Sequence, residues 1–135
     1  MTLDEGLYQY LTGQAGLMAL VSTRIYPDVL PQDVKLPAVA FLVLEEQFDP
    51  THDTDGIQST RYVFVIEGET AKSVGAVSAE LEKALHRYRG TWDGIAVLGI
   101  LKAGGRREYE PAVGQFSKEQ GYTVYHRKAA ETSPA

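Results

Sequence analysis

A strand pattern leads directly into a helix pattern between residues 59 and 90, and this pair constrains the fold most. Residues 60–67 read Thr-Arg-Tyr-Val-Phe-Val-Ile-Glu, which is rich in the β-branched and aromatic residues typical of strands. Alternation puts Tyr62, Phe64 and Ile66 on one face. The opposite face is half apolar because it includes Val63 and Val65, and this predicts a central strand rather than a sheet edge.

The helix of this pair begins after Gly68, where the period of two ends. Thr70 suits the N-cap, and Gly90 fits the C′ position that closes a helix. Apolar residues then recur every three or four positions, as expected for a helix that packs on the sheet. They are Val74, Val77, Leu81, Ala84, Leu85 and Tyr88.

Two further helices are predicted at the start of the chain. Thr2 and Glu5 form a capping box that opens a helix extending to about Thr12, and Gly13 ends it. Residues 14–21 predict a short second helix. Residues 24–27 (Arg-Ile-Tyr-Pro) predict a short extended segment, since the residue before a proline avoids the helical region.

The remaining strands are less regular. Residues 38–44 are apolar on both faces and predict a second buried strand, and residues 95–101 predict a third. We expect a hairpin turn at residues 103–105, which leads into the charged residues 106–110, interrupted by Pro111 and typical of an edge strand. Residues 112–120 are predicted as a loop, with Phe116 as an anchor, and residues 121–127 as the last strand.

Together these elements predict an α+β fold, with a mostly antiparallel sheet of about four to five strands and two main helices packed on one face. We expect residues 1–127 to form a single domain. Residues 128–135 are small and polar, which favours a disordered C-terminal tail.

Composition excludes several classes of protein. The 135 residues are 44% hydrophobic and 23% charged, an ordinary globular balance. The absence of cysteine excludes disulfides, zinc-thiolate sites and thiol nucleophiles. No apolar run is long enough to span a bilayer and no signal peptide is visible, so we expect a cytoplasmic protein. A net charge of −5 makes DNA wrapping a poor hypothesis.

No group of side chains points to catalysis or to a cofactor. His52, His86 and His126 lie in three separate elements, and no nucleophile elbow, zinc motif or phosphate loop accompanies them. The polar loop of residues 49–56 resembles a calcium loop only in part. Thr51 would take the first ligand position, and a tyrosine would replace the bidentate glutamate at position twelve. We therefore predict no enzyme, no metal and no cofactor.

Several stretches together carry a family resemblance that covers about residues 3–127. They are Leu-Tyr-Gln-Tyr-Leu at 7–11, Gly-Leu-Met-Ala-Leu-Val at 16–21, Arg-Ile-Tyr-Pro at 24–27, Leu-Pro-Ala-Val at 36–39 and the strand and helix of residues 61–85. In this order they resemble the tail-completion, or tail-terminator, proteins of long-tailed bacteriophages and prophages.

The resemblance implies a non-enzymatic virion protein that forms a ring, typically a hexamer, which caps the tail tube and ends its polymerisation. Its implied partners are the tail tube protein on one side and a head-tail connector or neck protein on the other. DNA would pass through the channel without specific binding. The implied location is the head-proximal end of the tail, after assembly in the host cytoplasm.

Two hypotheses about residues follow. The exposed edge pattern of Arg106, Arg107, Glu108 and Tyr109 suggests a subunit interface, in which the arginines meet an acidic surface of the next subunit. A second set would line the channel or contact the tube. It comprises Asp49, His52, Asp53 and Asp55. The alternatives are another head-tail joining protein, or a small ligand-binding α+β domain unrelated to phages.

Overall fold

The computed structural model describes residues 2–48, 57–111 and 114–127. These residues form three helices and six strands. In chain order they are α1 (Leu3–Thr12), α2 (Ala15–Val21), β1 (Ile25–Pro27), β2 (Ala38–Phe48), β3 (Ile57–Gly68), α3 (Ala71–Leu85), β4 (Gly90–Trp92), β5 (Ile95–Glu110) and β6 (Gln115–Arg127).

The strands form one sheet with the order β1-β2-β3-β6-β5-β4. Every pair is antiparallel except β1 and β2, which run parallel, so the sheet is mixed. The predicted α+β class is confirmed, but the sheet has six strands and three helices accompany it. The added strands, β1 and β4, have three residues each and are too short for a periodic sequence pattern to identify as sheet members.

All three helices pack on one face of the sheet, the arrangement that was predicted for two main helices. Tyr62, Phe64 and Ile66 of β3 are at most 1% exposed, and β3 lies between β2 and β6, so the predicted central strand is confirmed. Full burial of a side chain of this size stabilises the fold by about 1.5–3 kcal/mol. The other strands add further residues to this core, and each helix contributes one apolar stripe. The residues of the helical stripes are Leu7, Leu11, Leu17, Val21, Val74, Val77, Leu81 and Leu85.

Both predicted helix starts are confirmed. Thr2 and Glu5 form the capping box of α1, and the Thr70 hydroxyl accepts the Ser73 N–H at the start of α3. The prediction that Gly90 closes α3 is wrong, because α3 ends at Leu85 and Gly90 begins β4. Arg87 takes the left-handed conformation instead (φ 69°), and its N–H donates to the carbonyl of Ile100. This bond to β5 fixes the chain reversal without a glycine.

The predicted hairpin turn at residues 103–105 is also wrong, because β5 continues through it as one strand. Between the pairs Lys102–Tyr122 and Gly105–Gln120, β5 has one more residue than β6, which is a β-bulge. Gly104 accommodates the bulge with φ +99°, a conformation that favours glycine. The predicted loop of residues 112–120 is correspondingly wrong from Gln115 onward, since those residues pair with β5 and β3.

An aromatic cluster joins α1 to the end of α3 and to β4. The ring centroids of Tyr10 and Tyr88 are 4.2 Å apart, and that of Trp92 lies 5.6 Å from Tyr10. The Tyr10 hydroxyl donates to the carbonyl of Ala84 at 2.6 Å. Gly6 lets α1 approach this cluster, because a Cβ at residue 6 would lie 2.8 Å from the Cβ of Trp92.

Two helical glycines therefore make a matched test of this packing. Gly6→Ala should destabilise the protein by about 1–3 kcal/mol, because the new Cβ would clash with the Cβ of Trp92. A Cβ atom is fixed to its backbone, so the clash can be relieved only by moving α1 or β4. Gly75→Ala in α3 should stabilise it by about 0.5–1 kcal/mol, because nothing lies within 4 Å and alanine favours helix. Urea unfolding of both variants measures the changes. A neutral Gly6→Ala would contradict the close approach of α1 to Trp92.

Candidate functional site

The predicted interface residues lie on an open sheet edge. β4 pairs only with residues 95–97 of β5, so β5 has no outer partner strand from Leu98 onward among the described residues. Arg106, Arg107, Glu108 and Tyr109 are all exposed there. The expectation of a charged edge strand is confirmed, and we call these four residues the β5 edge.

Alternation along β5 divides this edge between the two faces of the sheet. Arg106 and Glu108 form an ion pair on the face without helices. Arg107 and Tyr109 lie on the helix side, where Arg107 is opposite Lys118 and Tyr109 packs on Phe116 with ring centroids 4.5 Å apart. Because the two arginines point to opposite faces, they present two different surfaces to a partner.

A basic groove lies between α3 and the β5–β6 pair. It encloses about 560 Å³, and the small residues of α3 leave the space for it. Glu82 bonds to Lys102 at 2.7 Å, and this hydrogen bond lowers the pKa of the Glu82 carboxyl. The other titratable residues that line the groove are Lys83, His86 and Lys118. The groove therefore carries net positive charge although the chain as a whole is acidic.

A buried polar chain supports the floor of this groove. The Ser78 hydroxyl donates to Oε1 of Gln120, and Nε2 of Gln120 donates to the Tyr122 hydroxyl at 2.6 Å. Gln120 is 0% exposed, so these bonds satisfy polar atoms that water cannot reach. Burial raises the pKa of Tyr122 to about 12. We interpret this cluster as structural, because it ties α3 to β6.

A second cleft, of about 310 Å³, lies at the start of α1; we call it the α1 cleft. Tyr8, Pro27 and Phe41 give it an apolar lining, while Asp4, Glu5 and Gln9 add polar groups. The Tyr62 hydroxyl donates to Oδ1 of Asp4 at 2.5 Å and so ties this carboxylate to the central strand. Burial, with Asp4 as a further cause, raises the pKa of Tyr62.

The face of the sheet opposite the helices exposes apolar side chains. Leu44 is 59% exposed and Leu101 47%. The strand register places Ile57 and Tyr125, both also exposed, on the same face as Leu101. No helix covers this face within the described residues, since the core cluster combines the helices with the other face.

The four residues assigned to the channel loop, Asp49, His52, Asp53 and Asp55, lie outside the described residues. Among residues 2–48, 57–111 and 114–127, no three His, Cys, Asp or Glu side chains group as a metal site would require. The same residues include no helix long and apolar enough to cross a membrane. The structure does not bring His86 and His126 together, since one bonds to the Lys102 N–H and the other lies beside Thr60.

Sequence reasoning misses both clefts. Because the sequence predicts a loop at Lys118, it does not reveal that this residue lies opposite Arg107 and beside α3. The α1 cleft depends on Pro27 and Phe41 meeting the first turn of α1, and no local pattern encodes that contact. The one available signal is the pair Asp4 and Glu5, and the capping box accounts for Glu5 alone.

Comparison with known proteins identifies what this chain is similar to. The family model described as "Tail completion protein gp17" matches residues 5–117. Among solved structures, a chain from "Virion of native gene transfer agent (GTA) particle" has the same fold, with a TM-score of 0.76. The two sequences are 18% identical, and the match covers 93% of this chain and 95% of that one. No curated protein sequence matches this chain.

A buried histidine lies on the core face near the end of β6. His126 is 6% exposed, and its Nε2 lies 2.9 Å from the Thr60 hydroxyl, within hydrogen-bond distance. Its Nδ1 has no hydrogen-bond partner among the described residues. Burial lowers the pKa of this imidazole, against smaller opposing effects of the Arg127 backbone and of Glu46. The ring is therefore neutral in the folded protein at neutral pH.

This burial predicts a loss of stability in mild acid. The unfolded chain protonates residue 126 as the pH falls below about 6.5, whereas the folded chain resists, so the free energy of unfolding decreases. His126→Gln should make that decrease shallower while keeping a partner for Thr60. Urea midpoints between about pH 7 and pH 5 measure the slope, with His86→Gln, the same substitution at a histidine outside the core cluster, as the control. An unchanged slope in His126→Gln would contradict the assignment.

Proposed function

Because this chain belongs to the family of the tail completion protein gp17, we propose that it forms a ring that caps a phage tail tube and ends its polymerisation. The chain is a structural protein of a phage tail; the ring and its position are the proposal. The observation that carries it is the family match over residues 5–117. The fold shared with a chain of a virion particle supports it.

The two ends of the sheet suit a ring. A ring requires heterologous contacts, in which one surface of a subunit meets a different surface of the next. One end of the sheet is the short parallel strand β1, beside the acidic start of α1. The other end consists of β4 and of the part of β5 that β4 does not cover, which includes the β5 edge with its arginines. Identical subunits can therefore join head to tail, and six such contacts would close a hexamer.

We propose that the β5 edge, with Arg106, Arg107, Glu108 and Tyr109, forms the subunit interface of this ring. The ring would contact the tail tube protein on one side and a head-tail connector or neck protein on the other, at the head-proximal end of the virion tail. Assembly would take place in the host cytoplasm. The proposal assigns no catalytic residue and no cofactor, because the family role is structural.

The acidic segment with Asp49, His52, Asp53 and Asp55 belongs to the same proposal as a channel or tube contact. Negative charge repeated around a ring would repel DNA phosphates and let DNA pass without specific binding. A structure of the assembled ring with this segment on the outer wall would exclude the channel role. Another station in the neck, as a head-tail joining protein, is the second candidate, since a fold shared with a chain of a virion particle is compatible with either position.

The ring is tested by negative-stain electron microscopy and native mass spectrometry of the purified protein, alone and with assembled tail tubes. We expect rings of about six subunits with an open channel, either free or at one end of each tube, because subunits with unlike ends close cyclically. Tubes assembled with the protein should stop at a uniform length. A protein that forms no ring and does not bind tube ends would contradict the proposal.

Charge reversal tests the interface within this ring. Arg106→Glu combined with Arg107→Glu should prevent ring formation, because each face of the β5 edge would become two charge units more negative. The double variant Lys35→Glu with Lys72→Glu, which changes net charge equally outside β5, is the control. Native mass at several protein concentrations is the measurement. An intact ring in the arginine variant would contradict the assignment of the β5 edge but not the ring itself.

A further inference from the structure

We propose that the α1 cleft of one subunit receives Arg107 and Tyr109 of the next copy of this chain. This inference rests on the proposed ring and names both partners of its repeating contact. It follows from the chemistry of the two surfaces and from their positions at opposite ends of one sheet.

The α1 cleft combines an apolar lining with acidic groups. Tyr8, Pro27 and Phe41 provide the apolar surface, and Asp4 and Glu5 provide two carboxylates. The hydrogen bond from Tyr62 holds Oδ1 of Asp4, and within the described residues no donor reaches the other oxygen. Such a cleft suits a side chain with an apolar stem and a cationic head, or an aromatic ring beside a cation.

The helix side of the β5 edge supplies this combination. Tyr109 is 51% exposed although its ring packs on Phe116, so half of its surface is available for a partner. Arg107 is exposed and lies opposite Lys118, a like-charged pair that destabilises an antiparallel ladder. Within the described residues no carboxylate pairs with Arg107, whereas Arg106 already pairs with Glu108. Arg107 therefore gains most from an acidic partner.

The positions of the two surfaces exclude contact within one chain and permit contact between copies. Three strands separate β1 from β5, and neighbouring strands are about 4.8 Å apart, so the two strands lie roughly 19 Å from each other measured along the sheet. Arg107 and Tyr109 do not line the α1 cleft of their own chain. Both surfaces lie on the helix side of the sheet. Two copies that lie side by side, with their helices on the same side, can therefore place the β5 edge of one in the α1 cleft of the other.

Thiol crosslinking tests this juxtaposition directly, because the natural chain has no cysteine. Gln9→Cys places a thiol in the α1 cleft, and Lys118→Cys places one beside Arg107. With a short bis-maleimide, the double variant should give a ladder of covalent oligomers. Each single variant should give only monomer, and an equal mixture of the two single variants should give dimers and nothing larger.

A charge exchange tests the same contact in solution. Arg107→Glu should raise the concentration needed to assemble the ring by on the order of tenfold, since a favourable contact becomes repulsive. Adding Gln9→Lys to that variant should restore assembly, because the new lysine meets the new glutamate. Ala19→Lys, an equal charge on the exposed side of α2, is the control and should not restore it.

The outcomes separate this inference from the proposed function. The proposed contact would be overturned if the double-cysteine variant forms rings but gives no ladder of covalent oligomers. It would also be overturned if Gln9→Lys and Ala19→Lys restore assembly equally. Either result would leave the proposed ring unaffected. Single-cysteine variants that crosslink to themselves would also overturn the contact, since they would indicate a two-fold contact. A natural chain that neither forms rings nor caps tail tubes would overturn the proposed function itself.

Discussion

The fold depends on the antiparallel pairing of β3 with β6. The two strands pair over twelve successive positions, from Ile57 with Arg127 to Gly68 with Phe116. This register sets Tyr62 beside Tyr122 and makes one face of the sheet aromatic and apolar. Because neighbouring side chains alternate between faces, a slip of one residue would turn every one of these side chains to the other side. The three helices therefore cover only this aromatic and apolar face.

Burial on one face leaves the other surfaces of the sheet for assembly. The face without helices exposes Leu44 and Leu101, and the ends of the sheet differ in length, charge and strand direction. The bulge at Gly104 lets β5 continue through residues 103–105 while it stays paired with β6. A tail protein needs surfaces of this kind, because its neighbours in a ring and along a tail are different from one another.

The elements that sequence analysis predicted best are those with a strong local signal. The capping box of Thr2 and Glu5, the N-cap Thr70 and the buried alternation of Tyr62, Phe64 and Ile66 depend on residues a few positions apart. The errors fell where a distant partner decides the conformation. Residues 115–120 read as a loop by composition but form strand, since β3 and β5 supply hydrogen bonds on both sides. The α1 cleft and the basic groove could not be predicted, because each joins distant segments.

By itself, the sequence determined the helix starts, the central strand, the aromatic core face and the family resemblance, since these are encoded in short-range periodicity and capping chemistry. The tertiary structure alone decided that β1 runs parallel to β2, that β5 passes through residues 103–105 without turning, and that Arg107 rather than Arg106 lies on the helix side of the sheet. The physical reason is that a backbone N–H or C=O takes whichever partner the packed sheet brings within reach. That choice depends on strands far apart in the chain.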